Sequence, residues 1–201
     1  MAQTTIKNHQ EYYSKTFSHL SMIQQEIEAI EFEDCSFTEC DFTEAVFNKC
    51  RFIECTFSDC NLSVIKVGQS QFTDVTFEQC KLIGVDWTRA MWSQLRLSAS
   101  LEFKNCVMND SSFFDLSLDE IKLTECKAHE MDFRNGSFCN AKFSYTDFTG
   151  SLFGKTNLSG ADFTEAVNYD IDILDNKIDK AKFTRYEAVR LLNCLDVALF
   201  D

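Results

Sequence analysis

The chain of 201 residues contains no proline, and only six glycines, three histidines and two tryptophans. Each shortage removes a class of explanation. Without proline no backbone amide is missing, so every residue can donate to a neighbouring segment, as a continuous stack of strands requires. Six scattered glycines make no phosphate-cradling cluster, which speaks against a nucleotide fold. His9, His19 and His129 lie near no nucleophile or carboxylate pair in a catalytic order, so the chain reads as a non-enzyme with no cofactor. No apolar run is long enough to cross a bilayer, and neither a secretory leader nor a lipidation signal is present, so a soluble cytoplasmic protein is expected. Basic residues are also in deficit. Lys and Arg number 19 against 32 Asp and Glu, a net charge of −13. That sign opposes direct nucleic-acid binding and favours a basic protein partner.

Phenylalanine is abundant, with 20 copies. Phe32, Phe37, Phe42, Phe47, Phe52 and Phe57 fall every fifth residue, and the beat continues through Leu62, Val67, Phe72, Phe77, Leu82, Trp87 and Trp92 to Leu97. A second unbroken series runs from Phe103 to Phe163. A period of five matches neither a helix at 3.6 nor a strand at 2, so the apolar stripe belongs to a short-unit solenoid. Two residues before each centre sits a small or medium residue, among them Cys35, Cys40, Ala45, Cys50, Cys55, Cys60, Val75 and Cys80. Two inward residues per five is the rule.

These units resemble the pentapeptide-repeat family, whose consensus is A(D/N)LXX with Phe often replacing Leu. The matches include Cys-Asp-Phe-Thr-Glu at 40 to 44, Cys-Asn-Leu at 60 to 62, Thr-Asn-Leu-Ser-Gly at 156 to 160 and Ala-Asp-Phe-Thr-Glu at 161 to 165. The resemblance implies an all-β fold, a right-handed quadrilateral parallel β-helix of four pentapeptides per coil, in which residue n lies under residue n+20. Phe32, Phe52, Phe72 and Trp92 are then expected to form one column. The expected organisation is a cap and first coil over 1–26, with Tyr12, Phe17, Met22 and Ile27 in phase. Repeats follow over 27–183, and a terminal helix and tail over 184–201. The phase change at 98–102 reads as a one-residue slip. Thr184 and Glu187 read as a capping box.

Eight of the ten cysteines, Cys106 and Cys126 included, occupy the small inward position and read as small hydrophobes and not as metal ligands. Predicted stacked pairs are Cys35 with Cys55 and Cys40 with Cys60. Asp170, Asp172 and Asp175 lack the glycine and terminal glutamate of a calcium loop and read as part of the last coil. Two residues after the centres lie Asp34, Glu39, Glu44, Glu54, Asp59 and Asp74, then Asp110, Asp115, Glu120, Glu125 and Glu130. A 20-residue coil stacks Asp34, Glu54 and Asp74 in one outward column, Glu39 and Asp59 in another, and Asp110 and Glu130 in a third. These carboxylates are either a solubilising surface or the binding site for a basic partner.

The resemblance extends to quinolone-resistance members, acidic rod-like dimers that mimic DNA and bind DNA gyrase or topoisomerase IV. It implies a non-catalytic binder of that kind, protecting the enzyme from quinolones or a peptide toxin. The other reading is a general protein-interaction scaffold. By the same resemblance Ala188, Leu191, Leu192, Leu195, Val197, Leu199 and Phe200 would be homodimer contacts, or else would cap the last coil. Gram-negative members carry projecting loops that matter for protection, where this chain is expected to have only the one-residue slip; loopless relatives also act on gyrase.

Overall fold

A computed structural model describes residues 6–92, 100–195, 197–198 and 200. They wind into a parallel β-solenoid of about eight turns followed by one short helix. Four faces can be followed by their central residues. The first carries Tyr12, Phe32, Phe52 and Phe72 in parallel register. The second carries Phe17, Phe37, Phe57, Phe77, Phe103 and Leu123. The third passes through Phe42, Leu62 and Leu82, and the fourth through Ile27, Phe47, Val67 and Trp87. Residue n lies on residue n+20, as the repeat predicts, except across the longer coil described below and on the fourth face of the last coil, where Phe153 pairs with Ile171, 18 residues on.

Backbone bonds between coils hold this register. Glu39 N donates to Ser58 O at 3.0 Å, and Thr56 N donates to Cys35 O at 2.9 Å. An amide thus reaches the carbonyl 19 residues ahead or 21 behind, and the pattern recurs up the tower. Inside, the rings stack at strand spacing. On the second face Phe17, Phe37, Phe57, Phe77 and Phe103 are parallel, with centroids 4.5–5.1 Å apart. The first face stacks Tyr12, Phe32, Phe52 and Phe72. Trp92 does not continue that stack in the predicted way. It turns to Trp87, donating from Nε1 to the Trp87 carbonyl at 2.9 Å.

Each corner requires a sharp turn, and the chain makes it the same way almost every time. The residue two after the centre has φ of about +50° to +65° at 27 non-glycine positions, including all eleven carboxylates singled out above, and Asn168 shares that conformation. Ala45 N donates back to Phe42 O at 2.8 Å across Thr43 and Glu44, a turn that needs positive φ at its third residue. An Asx bond fixes many corners: Asp41, Asn61, Asp147, Asn157 and Asp162 each accept the amide two residues on. This is the work of the consensus Asp or Asn.

The small inward residue does more than fill space. Cys60 Sγ donates to Phe37 O at 3.4 Å while accepting from Cys40 N at 3.4 Å. Ser70 makes the same pair of bonds to Phe47 O and Cys50 N, as does Thr146 to Leu123 O and Cys126 N. A corner amide and carbonyl that miss the ladder are satisfied by one buried thiol or hydroxyl. The reading of these cysteines as hydrophobes is therefore incomplete.

The break in phase is larger than one residue. Phe77 pairs with Phe103, and Lys104 Nζ reaches Glu78 across 26 positions, so this coil holds six residues beyond the usual 20. The extra residues fall between Trp92 and Ser100 in the sequence. Leu97, with Ser98 and Ala99 of the expected slip, lies outside the described residues.

Candidate interaction surface

The predicted acidic columns are formed by the register, but they occupy all four corners. Asp34, Glu54 and Asp74 line the corner between the first and second faces, and Ser14 Oγ donates to Asp34 at 2.7 Å below them. Glu39 and Asp59 line the next corner, with His19 Nδ1 3.4 Å from Glu39. Glu44, Asp110 and Glu130 stand on the third-face corner, Asp115 on the fourth, Glu120 on the first and Glu125 on the second. All are solvent-exposed.

Counting by faces reveals an asymmetry that the columns alone do not. In the first four coils, the first and second faces carry Glu11, Glu31, Glu33, Asp34, Glu39, Glu54, Asp59, Asp74 and Glu78 against Lys15 and Arg51. Arg51 is committed to Glu31. The other two faces carry Glu26, Glu28, Asp41, Glu44 and Asp86 against Lys49, Lys66, Lys81 and Arg89, which is close to balance. The second face has a mostly hydroxyl floor between its acidic corners: Thr16, Ser36, Thr56 and Thr76 stack in one row, and Ser18, Thr38 and Ser58 in another that ends at Glu78. Ser100 lies on this same side, its N donating to Asp74 Oδ1 at 3.1 Å.

At the other end Glu187–Leu195 forms a 3₁₀ helix with no fully buried residue. Of the predicted dimer contacts, Ala188, Leu191 and Leu192 are half-buried, Leu195 and Val197 are exposed, and Phe200 is 93% exposed; Leu199 lies outside the described residues. The expected capping box is replaced by a different arrangement. Thr184 Oγ1 accepts from Glu165 N at 2.6 Å, and Glu187 Oε2 accepts from Asn168 N at 3.1 Å. Both amides belong to the last coil and have no further coil to receive them, so the two side chains supply the acceptors.

Two regions of the sequence match family models, residues 30–101 a pentapeptide repeat region and residues 117–154 and 141–167 pentapeptide repeats in eight copies. The chain belongs to the pentapeptide-repeat family. It is 28% identical over 123 residues to the quinolone resistance pentapeptide repeat protein QnrB96 of Scandinavium goeteborgense, covering 56% of this chain and 58% of that protein. It is 31% identical over 75 residues to the pentapeptide repeat protein QnrB4 of Escherichia coli, covering 37% and 35%. These matches thus span less than two thirds of either relative. Among solved structures, trypsin-treated QnrB1, a plasmid-mediated fluoroquinolone resistance protein, superposes with a TM-score of 0.72 at 18% identity, covering 96% of this chain and all of that one. HetL of Nostoc sp. strain PCC 7120, a pentapeptide repeat protein involved in heterocyst differentiation regulation, superposes at 0.52 with 12% identity, covering 88% and 86%. Both likenesses concern the fold.

The cysteines of this pentapeptide-repeat tower are all free, and eight are buried. Cys40, Cys60, Cys80, Cys106 and Cys126 stack in one column over five coils. Burial pushes Cys35 and Cys50 above the usual thiol range and Cys55 up to about 12. Thiols held protonated in this way are poor nucleophiles and metal ligands. Among the described residues no group of His, Cys, Asp and Glu is arranged to hold a metal, and no helix is long and apolar enough to cross a membrane.

Asp147 is the most heavily bonded carboxylate on the third face. Partial burial pushes its pKa up, but hydrogen bonds from Asn168, Thr149 and His129 outweigh this and bring it down to about 2. A folded-state pKa below the unfolded value of about 3.9 adds stability above about pH 4, and that stability is lost as pH falls toward 2. Asp147→Asn is expected to lower the melting temperature at pH 7 and leave it nearly unchanged at pH 2. Equal differences at the two pH values would contradict this linkage.

Proposed function

We propose that this chain is a non-catalytic binding protein of the quinolone-resistance type, docking its acidic first and second faces on a basic protein surface. The partner class is DNA gyrase or topoisomerase IV, engaged through a DNA-binding surface whose positive charge the acidic corners complement. The observation that carries the reading is the one-sided charge of the first four coils; the kinship with QnrB96 and QnrB4 supports the choice of partner. A cytoplasmic location follows from such a partner. The exposed apolar residues Leu195, Val197 and Phe200 support a homodimer through the terminal helix.

The decisive assay is gyrase supercoiling in the presence of a quinolone. Purified protein is expected to restore supercoiling in proportion to its concentration, and no effect at saturating protein would refute the proposal. A second reading, a scaffold for another protein, draws on the upper coils. There Glu102 with Lys122, Asp132 with Arg134 and Asp162 with Lys182 form neutralised pairs.

A further inference from the structure

The C-terminal segment copies the coil that would come next. Inside the tower an amide n donates to the carbonyl of n+19, and the carbonyl of n accepts the amide of n+21. Thr184 and Glu187 accept from Glu165 N and Asn168 N at separations of 19 residues, and Arg190 Nε donates to Tyr169 O at a separation of 21. Three side chains thus reproduce both halves of the ladder. Arg190 is itself held by Asp170 at 2.9 Å. The helix adds no fully buried residue, so polar bonds are a large part of what keeps it in place.

Among the described residues, the opposite end of the solenoid is open where this end is closed. In the second coil Ser36 N donates downward to Lys15 O, and the equivalent amide one coil below is that of Thr16. Strands Glu11–Tyr13 and Thr16–Ser18 pair on one side only, leaving the outward amides and carbonyls of Glu11, Tyr13, Thr16 and Ser18 unpaired among the described residues. Among the described residues the strand Glu26–Glu28 alone is covered, by the Asn8 side chain on Glu28 N and Glu26 O. Because every strand is parallel, the lower edge of the first coil has the polarity that the upper edge of the last coil accepts. The charges agree as well. Glu11 begins the column that passes through Glu31 and Arg51 and ends at Lys177, so stacking a second copy on the last coil sets Glu11 over Lys177.

We propose that Thr184, Glu187 and Arg190 form a latch that occupies the docking site for the first coil of a second copy, and so prevents head-to-tail assembly of the towers. Such a contact is heterologous and does not close, so removing the latch yields open chains instead of a dimer. The test is sedimentation velocity of the Thr184→Ala/Glu187→Ala/Arg190→Ala variant over a range of concentrations. Species heavier than a dimer are expected to grow with concentration, while the wild type shows none. Adding Thr16→Pro, which deletes the outward amide, is expected to abolish them. A 1:1 mixture of this four-site variant with wild type pairs each open tail with one open head, and is expected to add one variant chain to each wild-type chain and to propagate no further. If the triple variant loses its β-sheet circular dichroism, Glu187→Lys alone, which sets a cation against Asn168 N, carries the same expectation. A folded latch variant that sediments as wild type at every concentration would overturn the proposal, as would assembly unaffected by Thr16→Pro.

Discussion

Phe57→Ala is expected to cost about 3–5 kcal/mol of folding stability, among the largest effects of any single side chain in the tower. Phe57 is 1% exposed, and its ring stacks on Phe37 at 4.5 Å and on Phe77 at 5.1 Å, with Phe52 and Phe42 edge-on or tilted at 5.7 and 6.3 Å. Truncation removes the ring from both neighbours, and the backbone ladder on each side prevents the coil from collapsing into the gap. A solenoid is held by nearest-neighbour contacts, so the damage is also directional. Coils below and above the cavity lose their shared aromatic column, and unfolding is expected to separate into two steps. Urea titration followed by tryptophan fluorescence and by far-ultraviolet circular dichroism checks both points. Trp87 reports on the middle of the tower, so the two probes should diverge in the variant and coincide in the wild type. A loss below about 1 kcal/mol with a single transition would show that the column can repack.

The fold was legible because one rule was obeyed without exception through the cores of both series, and the failures of that reading have equally simple causes. Six extra residues and one extra residue shift a five-residue beat by the same amount, so spacing could not distinguish an insertion from a slip. Leu97 happened to keep the phase and concealed the difference. Thr184 and Glu187 are three apart, as a capping box requires, but Glu165 and Asn168 are three apart too, and the structure joins the pairs across the coil. The hydrogen-bonding role of the inward cysteines had a signal that size alone hides. Ser70, Ser111, Thr146, Ser151 and Thr156 share their position and are all buried, which only a bonded hydroxyl tolerates. The charged side was missed because only the corner residue was followed. Glu11, Glu31, Glu33 and Glu78 flank the centres instead, and only the assignment of faces gathers them with Asp34 and Glu54.

Reversing Asp34, Glu54 and Asp74 together to lysine is expected to weaken binding to the proposed topoisomerase partner on the order of 100-fold at low ionic strength. The corner accommodates lysine, since Lys49, Lys155 and Lys180 already take the same left-handed conformation. Three carboxylates one coil apart repel one another, so the middle change alone, Glu54→Lys, exchanges two repulsions for two attractions and is expected to leave stability unchanged or slightly raised. Loss of binding without loss of folding separates a contact role from a structural one. The matched control is Asp110→Lys with Asp115→Lys, on the third- and fourth-face corners, where binding is expected to change by less than about threefold. Salt dependence supplies an independent reading: the wild-type affinity falls steeply with added salt, and the triple reversal flattens that slope by removing the charges that generate it. Equal losses from the two sets would mean that net charge, and not one side of the tower, governs the encounter. An unchanged affinity in the triple reversal would move the binding surface off the acidic corner altogether.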